Sequence, residues 1–267
     1  MTKTQLIENI KSKGSYLCVG LDTDLEKIPV HLLSSHNKAF MFNKAIIDAT
    51  LDHCIGYKIN TAFYEAMGSY GWDVMKQTVE YIPETHFKIA DAKRGDIGNT
   101  SSKYAKAFFE ILDFDAITVA PYMGEDSIRP FLEYENKWTI VLGLTSNKGA
   151  DDFEMQKTGG EYLFEKVIKT VSKWGSDKNT MFVAGATRPD QLSEIRKIIP
   201  NHFLLVPGVG FQGGSLAELS KHGLNNDIGL IVNVSRAIIY AGSEENFASE
   251  AGVIARQYHE EMKRLIY

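Results

Sequence analysis

The chain is short of cysteine, with two in 267 residues. Cys18 and Cys54 each sit beside apolar neighbours, outside any CxxC or Cys/His cluster. They read as buried free thiols of a reducing compartment, not as a disulfide framework. No apolar run approaches the roughly 18 residues of a membrane span. No basic stripe runs through a chain of formal charge −5, so neither nucleic acid nor membrane is an expected partner. The seven histidines are scattered, without HExxH or paired ligand spacing, so no metal centre is expected. No Ser-His-Asp or Cys-His pairing stands at the strand ends, which argues against a nucleophilic hydrolase. The opening stretch, MTKTQLIENIKSKG, has no apolar h-region. It reads as an amphipathic helix instead of a secretory leader, and a cytoplasmic location is expected. There is no Pro/Gly/Ser linker and no low-complexity block, so residues 1–267 are expected to form one domain.

What the chain does have is a repeated alternation. Apolar strand candidates recur as SYLCVGL (15–21), CIGYKIN (54–60), THFKIAD (85–91), AITVA (116–120), TIVLGL (139–144), TMFVAG (180–185), HFLLVPG (202–208) and GLIVNV (229–234). Helix-like segments follow most of them, among them 36–53, 99–112, 159–175 and 189–199. Continuous apolar strands alternating with amphipathic helices indicate an α/β fold with a covered parallel sheet. Eight of them fit a closed (β/α)8 TIM barrel. A doubly wound open sheet is the alternative, weakened because no GxGxxG opens a helix after the first strand.

In a barrel, chemistry gathers where strands end. Those ends carry Asp22, Lys58 with Asn60, Asp91 with Lys93, Pro121, Thr145 to Asn147, Thr187, Pro207 to Gly214, and Ser235 with Arg236. The densest cluster lies in DAKRGDIGNTSSKYA, residues 91–105. Side chains alternate faces along an extended segment, so Asp91 and Lys93 are expected on one side. Lys58 can reach the same space from the preceding strand, and Asp96 in the loop can complete a row of alternating charge. Opposite neighbours keep such groups ionised. A lysine held beside a developing carbanion can stabilise it and then protonate it. The plainer reading of the same residues is a solvated ion-pair network at a strand end.

A second feature is VPGVGFQGG, residues 206–214. Backbone N–H groups of a glycine-rich turn can converge on an anion, with Gln212 as a further donor. One strand later Arg236 opens a helix, and a guanidinium matches phosphate oxygens with paired donors. Loops after the seventh and eighth strands are the usual phosphate site of this barrel class. A phosphate-binding barrel is therefore expected. Asp22 and Asp24 leave two partners open, a divalent ion and a sugar hydroxyl.

Taken in barrel order, LCVGLDTD, YKIN, DAKRGDIGNTSSKYA, GLTSN, VPGVGFQGG and VNVSRAIIYA resemble the orotidine 5'-phosphate decarboxylase family, in particular its longer bacterial subgroup. The resemblance spans most of the chain. It implies a (β/α)8 barrel acting as a homodimer, converting orotidine 5'-monophosphate to UMP and carbon dioxide in pyrimidine biosynthesis, with no metal and no organic cofactor. It implies that Lys58, Asp91, Lys93 and Asp96 form the catalytic array. In that array Lys93 delivers a proton to C6 and Asp91 stands beside the departing carboxylate. Asp96 is contributed across the dimer interface, with Ile97 and Thr100 on the same shared edge. Asp22 matches the carboxylate on the ribose hydroxyls, and Ser146 matches the serine on the pyrimidine ring. Pro207 leads into the closing loop. Gln212, Gly213 and Arg236 take the phosphate, and Asn60 supports the site. Residues 61–84 and 146–160 depart from the shorter members. Arg94 receives no role.

Two other readings use part of the same pattern. One is another phosphate-sugar enzyme on this barrel, such as a β-keto acid decarboxylase or an epimerase. The other is a nucleotide-binding barrel without activity.

Overall fold

The computed structural model describes residues 1–209 and 215–267. Among them, eight parallel strands close into a barrel: β1 (Leu17–Gly20), β2 (Gly56–Asn60), β3 (Phe87–Arg94), β4 (Ala116–Val119), β5 (Trp138–Leu144), β6 (Thr180–Ala184), β7 (Phe203–Pro207) and β8 (Leu230–Val234). Each pairs with its neighbours in sequence, and β8 returns to β1 with Cys18 opposite Asn233. The apolar segments read from the sequence are these strands.

The helices in chain order are α1 (Lys3–Lys13), α2 (Lys38–Thr50), α3 (Thr61–Glu65), α4 (Ser69–Tyr81), α5 (Gly98–Lys106), α6 (Glu125–Leu132), α7 (Leu163–Val171), α8 (Pro189–Ile198), α9 (Leu216–Gly223), α10 (Arg236–Ile239) and α11 (Phe247–Ile266). Local chemistry sets several ends. Thr2 and Gln5 close a capping box at the start of α1, and Gly14 ends it in the left-handed region. The segment 61–84, not assigned from the sequence, is α3 and α4 separated at Gly68, whose φ is +66°. The helix expected over 159–175 starts only at Leu163. Before it, Lys157–Thr158 pairs antiparallel with Glu161–Tyr162 through the positive-φ glycines Gly159 and Gly160.

The lower barrel is plugged by rings from alternate strands. Trp138 of β5 meets Phe87 of β3 and Phe203 of β7 edge-on, with centroids 6.4 and 6.2 Å away. All three are fully buried. With that end filled, the barrel interior opens at its C-terminal rim. Among the described residues, no helix is long and apolar enough to cross a membrane.

Candidate active site

Neighbouring strand ends bring the charged residues together. Register places Gly20 opposite Lys58 and Asn60 opposite Asp91. Lys58 is buried, and its Nζ lies 3.0 Å from Asp91 Oδ2 and 3.5 Å from Asp22 Oδ1. Lys93, half exposed, places Nζ 2.6 Å from Asp91 Oδ1. The row therefore runs Asp22–Lys58–Asp91–Lys93. Burial alone would push the Lys58 ammonium down. The Asp91 and Asp22 carboxylates outweigh it and hold the group above the ordinary lysine range. Burial would likewise raise the Asp91 carboxyl, but Lys58 and Lys93 hold it well below the usual carboxylate range.

The way Asp91 and Lys93 meet differs from plain strand alternation. Ala90 pairs with Ile117 and Arg94 with Val119, so β3 bulges between those points. Lys93 takes φ +48° within the bulge. Thr118 stands opposite and is fully buried. Its Oγ1 accepts a hydrogen bond from Lys93 N at 2.9 Å and donates one to Asp91 Oδ1 at 3.0 Å.

Asp96 lies further along, in the loop before α5. Its Oδ1 accepts from Ile97 N at 2.8 Å, and among the described residues no ion pair joins it to Lys58 or Lys93. Within one chain, Asp22 takes the place in the row that Asp96 was expected to fill. Ile97, which precedes α5, and Thr100, in its first turn, are exposed. Arg94 gains a structural explanation. It pairs with Glu65 of α3 and packs over the Tyr104 and Phe108 rings, fastening the bulged strand end to two helices.

A cleft of about 200 Å³ reaches three members of the row, Asp22, Lys58 and Asp91, with Lys93 outside its lining; Asn60, Ser146, Pro207, Gly208, Val209, Asn233, Ser235 and Arg236 also stand on its wall. A larger depression of about 630 Å³ opens near Thr2, Lys3 and Asn136 at the plugged end, away from the row. Size does not identify the site here; converging charge does. Asp22 is held by its surroundings: Tyr240 Oη donates to Asp22 O at 3.0 Å and accepts from Asp24 N at 2.8 Å. Asn60 caps α3, its Oδ1 accepting from Ala62 N at 3.3 Å. Arg236 opens α10 directly after Ser235, whose Oγ donates to Gly20 O at 3.0 Å. This contact needs Gly20: a Cβ there would stand 2.6 Å from Ser235 Cβ. Gly208, at φ +94°, turns the chain out of β7 towards the loop. Gln212 and Gly213 lie outside the described residues.

The segment 146–160 is tied back at its root. Glu154 accepts from Thr145 N at 2.6 Å and from Thr145 Oγ1 at 2.9 Å. Further out, Arg188 reaches Asp151 at 2.7 Å. These anchors leave Ser146 on the wall of the cleft.

Several residues of the site were not singled out from the sequence. Thr118 is a lone hydroxyl in an apolar strand that ends beside the row. Tyr240 and Glu154 act from outside the cleft. Asn233 faces it from β8, nearly buried, with Oδ1 lacking a hydrogen-bond partner among the described residues. Among the described residues, no group of three His, Cys, Asp or Glu side chains is arranged to hold a metal ion.

Over most of its length the chain is similar to known proteins. The model of the family described as Orotidine 5'-phosphate decarboxylase / HUMPS matches residues 15–251. A Phocaeicola vulgatus protein named Orotidine 5'-phosphate decarboxylase is 59% identical over 270 residues, covering 100% of this chain and 99% of that protein. A Bacteroides fragilis protein of the same name is 59% identical over 266 residues, covering 98% of this chain and 97% of its own. Among solved structures, the OMP decarboxylase of Leishmania donovani superposes with a TM-score of 0.84 at 34% identity, covering 99% of both chains.

Proposed function

The chain belongs to the orotidine 5'-phosphate decarboxylase family, and from that premise we propose that it removes the C6 carboxylate of orotidine 5'-monophosphate, releasing carbon dioxide and UMP. The observation that carries the reading is the row Asp22–Lys58–Asp91–Lys93 at the rim of the barrel, with Lys93 Nζ 2.6 Å from Asp91.

Loss of carbon dioxide leaves an electron pair on C6 in the plane of the ring. No ring carbonyl takes that charge by simple conjugation. A fixed cation is then the available stabiliser, and Lys93 is the residue for it: its ammonium meets the developing charge and passes a proton to C6. Asp91 stands beside the departing carboxylate, where like charge raises the ground state until the carbon dioxide leaves. Lys58 is the buried counterion that keeps Asp91 ionised and in place. Each tenfold gain in rate requires about 1.4 kcal/mol of preferential transition-state binding.

The distant phosphate serves the same end. Arg236, with Gln212 and Gly213, grips it and so orients the base. Pro207 carries the chain from β7 into that loop. Asp22 binds the ribose hydroxyls, Asn60 supports it, and Ser146 contacts the pyrimidine. The chain acts as a homodimer, with Asp96, Ile97 and Thr100 of one copy completing the site of the other. The exposure of Ile97, and the absence among the described residues of an ion pair between Asp96 and the lysines of its own row, support this last point.

The test is direct. Purified protein is given orotidine 5'-monophosphate and the fall in ultraviolet absorbance is followed, with UMP identified as product. Turnover is expected. No loss of substrate, or turnover of keto-sugar phosphates in its place, overturns the reading.

A further inference from the structure

The bulge in β3 raises a question of support. Asp91, Ala92 and Lys93 face a single residue of β4, Thr118, because the pairing shifts between Ala90 and Arg94. A bulge takes backbone groups out of the ladder. Lys93 also occupies φ +48°, a region that side-chain-bearing residues rarely adopt. Such a conformation persists only where surrounding contacts over-determine it.

Thr118 supplies those contacts from one atom. Its Oγ1 accepts from Lys93 N at 2.9 Å, replacing a lost ladder partner. Its only hydroxyl proton goes to Asp91 Oδ1 at 3.0 Å. Asp91 Oδ1 thus receives Thr118 and the Lys93 ammonium, while Oδ2 receives Lys58 at 3.0 Å. The carboxylate is held from both oxygens, and the backbone that carries Lys93 is pinned to the same strut. Full burial of Thr118 keeps water from substituting for it.

We propose that Thr118 is a positioning residue for the reaction: its hydroxyl holds the Lys93 backbone and the Asp91 carboxylate in one fixed relation. It touches neither substrate nor reacting atoms. The inference rests on the reading of Asp91 and Lys93 as the reactive pair. A displacement of about 1 Å at a reacting group can cost on the order of 100-fold in rate, so a strut of this kind acts on turnover more than on binding.

Thr118→Val keeps the branched shape and removes the hydroxyl. Thr118→Ser keeps the hydroxyl and removes the methyl group. For each, kcat and KM for orotidine 5'-monophosphate, the Kd for UMP and the Tm are measured beside the unaltered protein. Thr118→Val is expected to lower kcat about 30-fold or more, with KM and the UMP Kd within about threefold. Thr118→Ser is expected to stay within about threefold of the unaltered kcat. If the valine variant fails to fold, Thr118→Ala carries the same expectation. An unaltered kcat in the variant without the hydroxyl overturns the inference. So does an equal loss in the serine variant, or a loss of kcat matched by loss of UMP binding. Turnover by the unaltered protein separates the two levels. Without it, the assigned activity falls and the inference with it; with it, an unaffected Thr118→Val removes the inference alone.

Discussion

Lys58 Nζ stands 3.0 Å from Asp91 Oδ2, and both groups are nearly closed off from solvent. Such a pair is stabilising only while it is complete, because either partner alone leaves a buried charge. Lys58→Met should therefore destabilise the fold by about 3 kcal/mol, read from chemical denaturation. Adding Asp91→Asn to that variant should restore part of the loss, since Asp91 Oδ2, left without Lys58, no longer carries carboxylate charge. Purely additive effects of the two changes would show that the pair is not coupled as described.

On the proposed reading Arg236 acts on the phosphate and not on C6. Arg236→Ala should lower kcat/KM about 10- to 100-fold, the scale of a lost charge-assisted contact, mostly through KM. Orotidine, which lacks the phosphate, should be turned over equally poorly by both proteins. An unchanged kcat/KM for the nucleotide would remove Arg236 from the phosphate site.

Much of this site was legible because barrel strands announce their ends. Lys58, Asp91 and Arg236 each follow an apolar run, and a closed barrel brings such ends to one rim. The meeting of Asp91 with Lys93 was expected from strand alternation, and it occurs. Its cause is different: a bulge and a positive φ at Lys93, neither of which leaves a mark in residue type. Thr118 stayed hidden because threonine is an ordinary strand residue, so nothing in AITVA sets it apart. Asp22 was read as a sugar ligand, while its nearness to Lys58 depends on how β1 and β2 register. Asp96 shows the limit of reading by spacing. Its closeness in sequence to Lys93 did not become an ion pair with it among the described residues of one chain.

Asp96 leads to a prediction about assembly. If Asp96 of one copy serves the site of the other, Asp96→Ala and Lys93→Ala proteins are each nearly inactive alone. Lys93→Ala should lose at least about a thousandfold in kcat while still binding UMP. Mixed and allowed to exchange, the two variants form hybrids in which one site carries both changes and the other carries neither. Random exchange makes about half the dimers hybrid with one intact site of two, so activity should recover towards about a quarter of the unaltered level. Absence of recovery, with hybrids verified by mass, would place Asp96 in its own chain's site or outside both.

The pH dependence of stability draws on a residue far from the chemistry. His202 leads into β7, packs on Phe182 at a centroid distance of 5.7 Å, and has both ring nitrogens buried without a hydrogen-bond partner among the described residues. Burial pushes its pKa down from 6.5 to about 4; Asp177 opposes the shift, while Lys3 and Arg196 add to it. The neutral ring is therefore the form that the fold prefers. As pH falls below 6.5 the unfolded chain takes up this proton first, so stability present above that value is lost progressively as pH falls through 4. The loss should be on the order of 2 kcal/mol by pH 4. His202→Phe keeps a flat ring and removes the proton site. Denaturant titrations at pH 7 and pH 4.5 should show a smaller drop in the variant than in the unaltered protein. The ion pair of Lys3 and Asp177 is present in both proteins, and its direct contact is untouched by the substitution. Equal drops would mean that His202 takes up its proton without cost to the fold.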